Sequence, residues 1–160
     1  MKYRTVLVAY DESEASHRAV RAAVDLIADD SNAYLHVISV IPSMEENYAY
    51  SGLGGEVAGG NPNIIFDAEV LGNLQDTIAE GEQGKMREHL RDDIAPMRNA
   101  ATLEIAYGTS PATGILSYAD SNDCDLIVIG SRGLGVLRGM LGSVSYSVVR
   151  SSPVPVLVIK

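Results

Sequence analysis

Residues 125–147 read DLIVIGSRGLGVLRGMLGSVSYS. The stretch opens on a run at 125–129 (DLIVI) that is short, apolar and rich in β-branched side chains, which predicts a buried strand. It passes at once into a turn that begins with Gly130 and ends at Gly142 and Ser143, where a helix over 143–150 is expected. In an open α/β sheet, ligands bind beyond the C-terminal ends of the strands, where neighbouring connections leave in opposite directions. A glycine-rich turn at that point is where an anion site is expected. Gly130 and Gly133 allow a tight turn and bring bare backbone close to a sugar or phosphate. Gly142 does the same at the helix entrance, where unpaired N–H groups and about half a positive charge face outward. Ser143 and Ser145 add hydroxyl donors, and Arg132 and Arg138 add charge for a polyphosphate. No Gly-Lys-Ser/Thr is present, so the turn is not a P-loop, and it follows a late strand rather than the first, so it is not a dinucleotide fingerprint.

Outward from this turn the chain alternates strand and helix. Residues 3–10 (YRTVLVAY) predict the first strand, and Ser13 in the following DES is placed to cap a helix with Ala19, Val20, Ala23, Val24 and Ile27 on one face. Residues 32–40 (NAYLHVISV) predict the second strand. Residues 67–94 are expected to be mainly helical, weakened in the middle by Gly81 and Gly84. A third strand is expected over 102–107, a helix over 111–121 begun by Ser110 and Pro111, and a fifth strand over 154–159 (VPVLVI). Strands that read as continuous apolar runs predict a parallel sheet with helices on both faces. The segment 42–66, containing SGLGGEVAGGNPN, has no periodicity and is expected to be a flexible loop or lid within a single domain spanning 1–160.

Composition bounds the function classes. The chain has 160 residues and a net charge of −9, which disfavours nucleic acid and anionic membranes as partners. All 21 acidic residues lie in 1–125, whereas 126–160 carries four basic residues and none acidic. An anion repelled elsewhere is therefore tolerated around the turn, although buried strands exclude charge in any case. No apolar run approaches the ~20 residues needed to span a bilayer, and the one cysteine excludes intrachain disulfides, so a cytoplasmic setting is expected.

Asp11, at the end of the first strand, would face the turn across the crevice between the first and fourth strands. Its carboxylate is suited either to accept a hydrogen bond from an exocyclic amine or ribose hydroxyl, or to help Ser13 cap the helix. The segments VAYDES (8–13), LHVI (35–38), DLIVIGSRG (125–133), GSVS (142–145) and PVPVLVI (153–159), in this order, resemble the universal stress protein family over essentially the whole chain. Only 42–66 lacks a counterpart. The nucleotide-binding branch of that family has Gly, two residues, Gly, nine residues, then Gly and Ser or Thr. Here Gly130 and Gly133 are separated by two residues, but only eight lie between Gly133 and Gly142.

The resemblance implies an adenine nucleotide alpha hydrolase-like fold with strand order 3-2-1-4-5. It implies ATP, or ADP or AMP, as ligand, with Mg²⁺ held mainly by the phosphates. Adenine would lie against Asp11 and the backbone near Val37, and ribose by Ala9 and Gly130, with Tyr10 and Ile129 also among the nucleotide-binding residues. The phosphates would lie on Gly133, Gly142, Ser143, Val144 and Ser145, with Arg132 at a variable position. It also implies a homodimer through the apolar edge strand 154–159, where Pro155 limits pairing. A regulatory, stress-response nucleotide-binding module is the leading expectation, not an enzyme with assigned catalytic residues. A slow Mg-dependent ATP hydrolase or phosphotransfer enzyme and a nucleotide-free homodimer are the alternatives. His17, His36 and His89 lack metal-ligand spacing, with His36 expected to be a hydrogen-bonded structural residue and Cys124 a packed one.

Overall fold

The computed structural model describes residues 3–43, 68–97, 100–132 and 141–160. Its elements are β1 (Thr5–Ala9), α1 (Glu14–Ile27), β2 (Tyr34–Pro42), α2 (Ala68–His89), a short 3-10 turn (Ala95–Met97), β3 (Ala101–Gly108), α3 (Pro111–Ser121), β4 (Leu126–Gly130), α4 (Ser143–Ser151) and β5 (Val156–Ile159). The five strands form one sheet in the order β3-β2-β1-β4-β5, and every neighbouring pair is parallel. Both the strand order and the parallel pairing match the sequence expectation.

Successive side chains of a strand leave on opposite faces, so each strand feeds two cores. Val6, Val8, Leu35, Val37, Leu126 and Val128 meet Ala19, Val20, Ala23, Val24 and Ile27 of α1, with Met86 of α2, on one face. Leu7, Ile38, Ile127 and Ile129 meet Ile115 and Ala119 of α3 and Val148 of α4 on the other. β1 and β4 therefore carry apolar residues on both faces, which explains their unbroken hydrophobic runs. The helix following β1 lies on the first face and the helix following β4 on the second. Between these two adjacent strands the connections part, which in open α/β sheets is where a ligand crevice forms at the strands' C-terminal ends.

Local chemistry sets the helix starts. Ser13 takes the extended N-cap conformation and its hydroxyl accepts the Ser16 N–H at 3.1 Å; Ser110 does the same for Thr113 at 3.2 Å, with Pro111 in the first turn. α2 runs unbroken through Gly81 and Gly84 but ends at His89, five residues before the expected limit at 94. Leu90 is still buried beyond His89, and Ile94 packs against the same core from the following turn, so the apolar spacing outlasts the helix. β5 likewise begins at Val156 rather than 154: the Ser152 hydroxyl accepts the Val154 N–H at 3.2 Å and donates to the Val154 carbonyl at 2.8 Å, holding the residues before it in a turn.

The outer edge of β3 is engaged by α2. Because Ala100 gives its carbonyl to Leu35 of β2 at 2.8 Å, the alternation of the ladder turns the Leu103 carbonyl outward, where it accepts the Gln83 side-chain amide at 2.6 Å. The segment expected to be a loop or lid lies outside the described residues apart from Pro42, which ends β2, and Ser43.

Candidate functional site

The crevice mouth is built where β1 and β4 end side by side, with Ala9 level with Ile129 and, on the other flank, with Ile38. Tyr10 takes one further ladder bond, its N–H donating to the Ile38 carbonyl at 2.8 Å, and then the chain leaves the sheet. Asp11 is exposed at the mouth. One of its carboxylate oxygens, Oδ1, accepts both the Ser13 N–H at 3.2 Å and the Ser13 hydroxyl at 2.5 Å. The same carboxylate is thus an N-cap partner and an open acceptor, and the two sequence readings of Asp11 are compatible. Between them Glu12 adopts φ 62°, a left-handed conformation that costs a residue with a side chain on the order of 1 kcal/mol.

The glycine turn meets this loop from β4. The Ser13 hydroxyl lies 3.5 Å from the Arg132 carbonyl, and the Gly142 N–H donates to the Ser131 carbonyl at 2.9 Å, drawing the two ends of the turn together. The Ser145 hydroxyl donates to the Gly130 carbonyl at 2.7 Å and is buried, so this side chain fastens α4 to β4 and its backbone N–H is what remains to face a ligand. Ser143 is exposed and Val144 half-buried in the same first helical turn. Gly142 stands at the N-cap and offers no side-chain acceptor, so among the described residues no side chain caps the N–H groups of that turn.

The two described glycines of the turn have different reasons. A Cβ on Gly130 would stand 2.9 Å from the Ala15 carbonyl carbon and 2.9 Å from its Cβ, so the close packing of α1 on β4 requires glycine there. A Cβ on Gly142 would meet only Arg132 Cα and the Ser131 carbonyl at 3.5 Å and Ser145 Oγ at 3.7 Å, ordinary contacts. With φ −62° and ψ 153°, the backbone at 142 suits any residue as well. Among the described residues nothing asks for glycine at 142.

Of the remaining expected residues, Ala9, Tyr10, Ile129 and Gly130 gather at the mouth and Arg132 is exposed on its rim. Val37 lies deeper, fully buried between Val8 and Leu103. Gly133 and Arg138, and with them the eight-residue spacing, lie outside the described residues. Sequence reasoning missed two contributors. Ser131 receives the Gly142 N–H, and Ala15 sets the identity of residue 130; no local pattern announces a contact between residues so distant in the chain.

Elsewhere, His36 is a structural residue: its Nδ1 lies 3.0 Å from both the Tyr118 and Thr102 hydroxyls, and burial lowers its pKa, partly offset by Glu104. Cys124 is packed, its thiol pushed up to about 11 by burial and then by Asp125 and Asp123. Among the described residues there is no cluster of His, Cys, Asp and Glu fit to hold a metal, and no helix is long and apolar enough to cross a membrane.

Comparison with known proteins agrees with this architecture. The universal stress protein family model matches residues 2–62 and 64–160. A universal stress protein of Thermus aquaticus is 47% identical over 159 residues, covering 99% of both chains. The solved universal stress protein UspA of Lactobacillus plantarum is 28% identical with a TM-score of 0.71, covering 100% of this chain and 99% of its own. A universal stress protein solved in complex with cAMP is 25% identical with a TM-score of 0.58, covering 100% of this chain and 98% of its own. With the model matched from end to end and the same sheet beneath it, this chain belongs to the universal stress protein family.

Proposed function

We propose that the chain is a regulatory adenine-nucleotide-binding module of the cytoplasm, taking ATP or its di- or monophosphate in the crevice between β1 and β4. Asp11 accepts the adenine amine or a ribose hydroxyl, Ala9 and Gly130 border the ribose, and the N–H groups of Ser143, Val144 and Ser145 receive phosphate oxygens. Arg132 supplies charge from the rim, and Mg²⁺, when present, is held mainly by the phosphates. The observation that carries this reading is the N-terminus of α4, which among the described residues is uncapped by any side chain and headed by a glycine that no neighbour requires. The absence of acidic residues after Asp125 makes the same corner tolerant of anions. A family relative solved with cAMP supports adenine as the base.

Partnership follows from the other end of the sheet. β5 is an edge strand with one neighbour, and Tyr146, Val149 and Leu157, on α4 and β5, are 56%, 45% and 38% exposed. Pairing with a second copy through β5 covers both the open edge and these side chains.

Acid extraction of the purified protein followed by mass spectrometry, with calorimetric titration of ATP, ADP and AMP into the stripped protein, tests the nucleotide reading. A co-purifying adenine nucleotide or a saturable heat signal is expected. No nucleotide in the extract together with no heat for any of the three refutes it.

A further inference from the structure

Outside the crevice the structure holds a polar chain that runs inward from its rim. Tyr10 is only 4% exposed, and its ring packs edge-on against His17, with centroids 5.2 Å apart and planes at 86°. Its hydroxyl lies 3.0 Å from His17 Nε2, and His17 Nδ1 lies 3.0 Å from Asp93 Oδ2. Arg21 Nη1 reaches both Asp93 oxygens, at 3.2 and 3.4 Å. Three stretches of chain are joined in this way: the end of β1, the first two turns of α1 and the turn after α2.

The proton positions follow from what each group can donate. Asp93 as a carboxylate only accepts, so Nδ1 carries a proton; in the tautomer with that single ring proton Nε2 accepts, and the Tyr10 hydroxyl donates to it. Arg21 completes the far end with its own N–H. Every group is satisfied in one direction, from Tyr10 through His17 to Asp93. Burial, reinforced by the carboxylates of Glu12, Asp93 and Asp11, pushes the Tyr10 pKa up to about 12, so this hydroxyl keeps its proton and serves as a strut.

What the strut holds is the residue before Asp11. The loop from Asp11 to Ser13 contains the left-handed Glu12, a conformation that persists only where the surroundings fix both of its ends. Downstream, Ser13 and Ser16 fix it: the Asp11 N–H donates to the Ser16 hydroxyl at 3.3 Å, and that hydroxyl donates to the Ser13 carbonyl at 2.8 Å. Upstream, the Asp11 N–H is held by that same Ser16 hydroxyl, and among the described residues the Tyr10 side chain anchors the residue before it. We infer that Tyr10, His17, Asp93 and Arg21 form a positioning chain that sets the orientation of Asp11 for its ligand, so that breaking a link remote from the crevice weakens adenine-nucleotide binding there. The inference rests on the nucleotide reading given above.

Tyr10→Phe removes the hydroxyl and keeps the ring, and Asp93→Asn removes the acceptor at the far end. Each is expected to raise the Kd for ATP roughly three- to tenfold, the equilibrium worth of about one hydrogen bond. In the double variant the effects are expected to be less than additive, because either change alone already breaks the chain. Amide hydrogen exchange supplies a readout that needs no ligand: the N–H groups of Asp11 and Ser13 are expected to exchange faster in Tyr10→Phe, while those in the body of α1 keep their rates. A purely structural role predicts instead a lower Tm, with ATP affinity within twofold of wild type and exchange raised evenly along α1. That result overturns the inference and leaves the nucleotide reading standing. Wild-type protein that takes up no adenine nucleotide overturns the reading and the inference with it, and is recognised because the unsubstituted chain fails first.

Discussion

Replacing Gly142 with aspartate separates the stability of α4 from any role in holding an anion, because the two should move in opposite directions. The site has room: the nearest atoms to a new Cβ are at 3.5 and 3.7 Å, and the backbone already has the extended conformation of an N-cap residue. A carboxylate there would accept a first-turn N–H and face the positive end of the helix, which should stabilise the fold by about 0.5 kcal/mol. It would also occupy the place proposed for a phosphate. Two unit charges about 4 Å apart repel by about 4 kcal/mol at an effective dielectric constant near 20, and exposure to solvent reduces this to about half. An affinity loss of at least about thirtyfold is therefore expected for ATP in Gly142→Asp, alongside an unchanged or slightly raised urea midpoint. Calorimetric titration and urea unfolding of the same preparations measure both. ATP affinity within twofold of wild type in a folded Gly142→Asp protein would show that no phosphate sits at the start of α4.

Gly130→Ala drives a methyl group to 2.9 Å from the Ala15 backbone, so α1 must shift on β4, and a loss of about 1–3 kcal/mol in denaturant unfolding is expected; a loss below 0.5 kcal/mol would mean the contact is easily relaxed. Tyr10 ionises at about pH 12 in the folded chain against an unfolded value of 10.0, so the folded state holds its proton longer. Its contribution to stability is then complete below about pH 10 and lost as the pH rises toward 12. Alkaline unfolding curves should accordingly be less steep over that window in Tyr10→Phe, and identical slopes would refute the assignment. Paired charges on the open flank, Val149→Lys with Leu157→Lys, are expected to leave the monomer folded and to convert a sedimenting dimer to monomer at micromolar concentration. A wild-type chain that already sediments as a monomer would remove β5 as the pairing surface.

Much of this was legible because it is local. The DES after β1 announces the cap of α1, and the step from DLIVI into Gly130 places a turn at the sheet's dividing line, since an apolar run and a glycine suffice to signal both. Periodicity failed where it is degenerate. Leu90 and Ile94 keep helical spacing beyond His89, and a pattern of buried positions does not say whether a helix or a turn delivers them. Gly130 has a packing reason that its position in the sequence does not announce. Glycine before a ligand and glycine beneath a helix look identical in sequence, and only the Ala15 contact tells them apart. The hydroxyl of Ser145 was expected to face a phosphate and instead ties α4 to β4. His17 drew attention only as a metal ligand without companions, because its partners, Tyr10 and Asp93, lie 7 and 76 residues away and form no motif.

The two rims of the sheet are unequal. On β3 the outward carbonyl of Leu103 is already taken by Gln83, while β5 ends the other side with four residues and only β4 as neighbour. A ribbon that can be lengthened from both sides can polymerise, and each edge group already engaged makes one of those sides a poorer template. Under the proposed pairing of copies through β5, Gln83 occupies one of the outward carbonyls that a further strand on β3 would need.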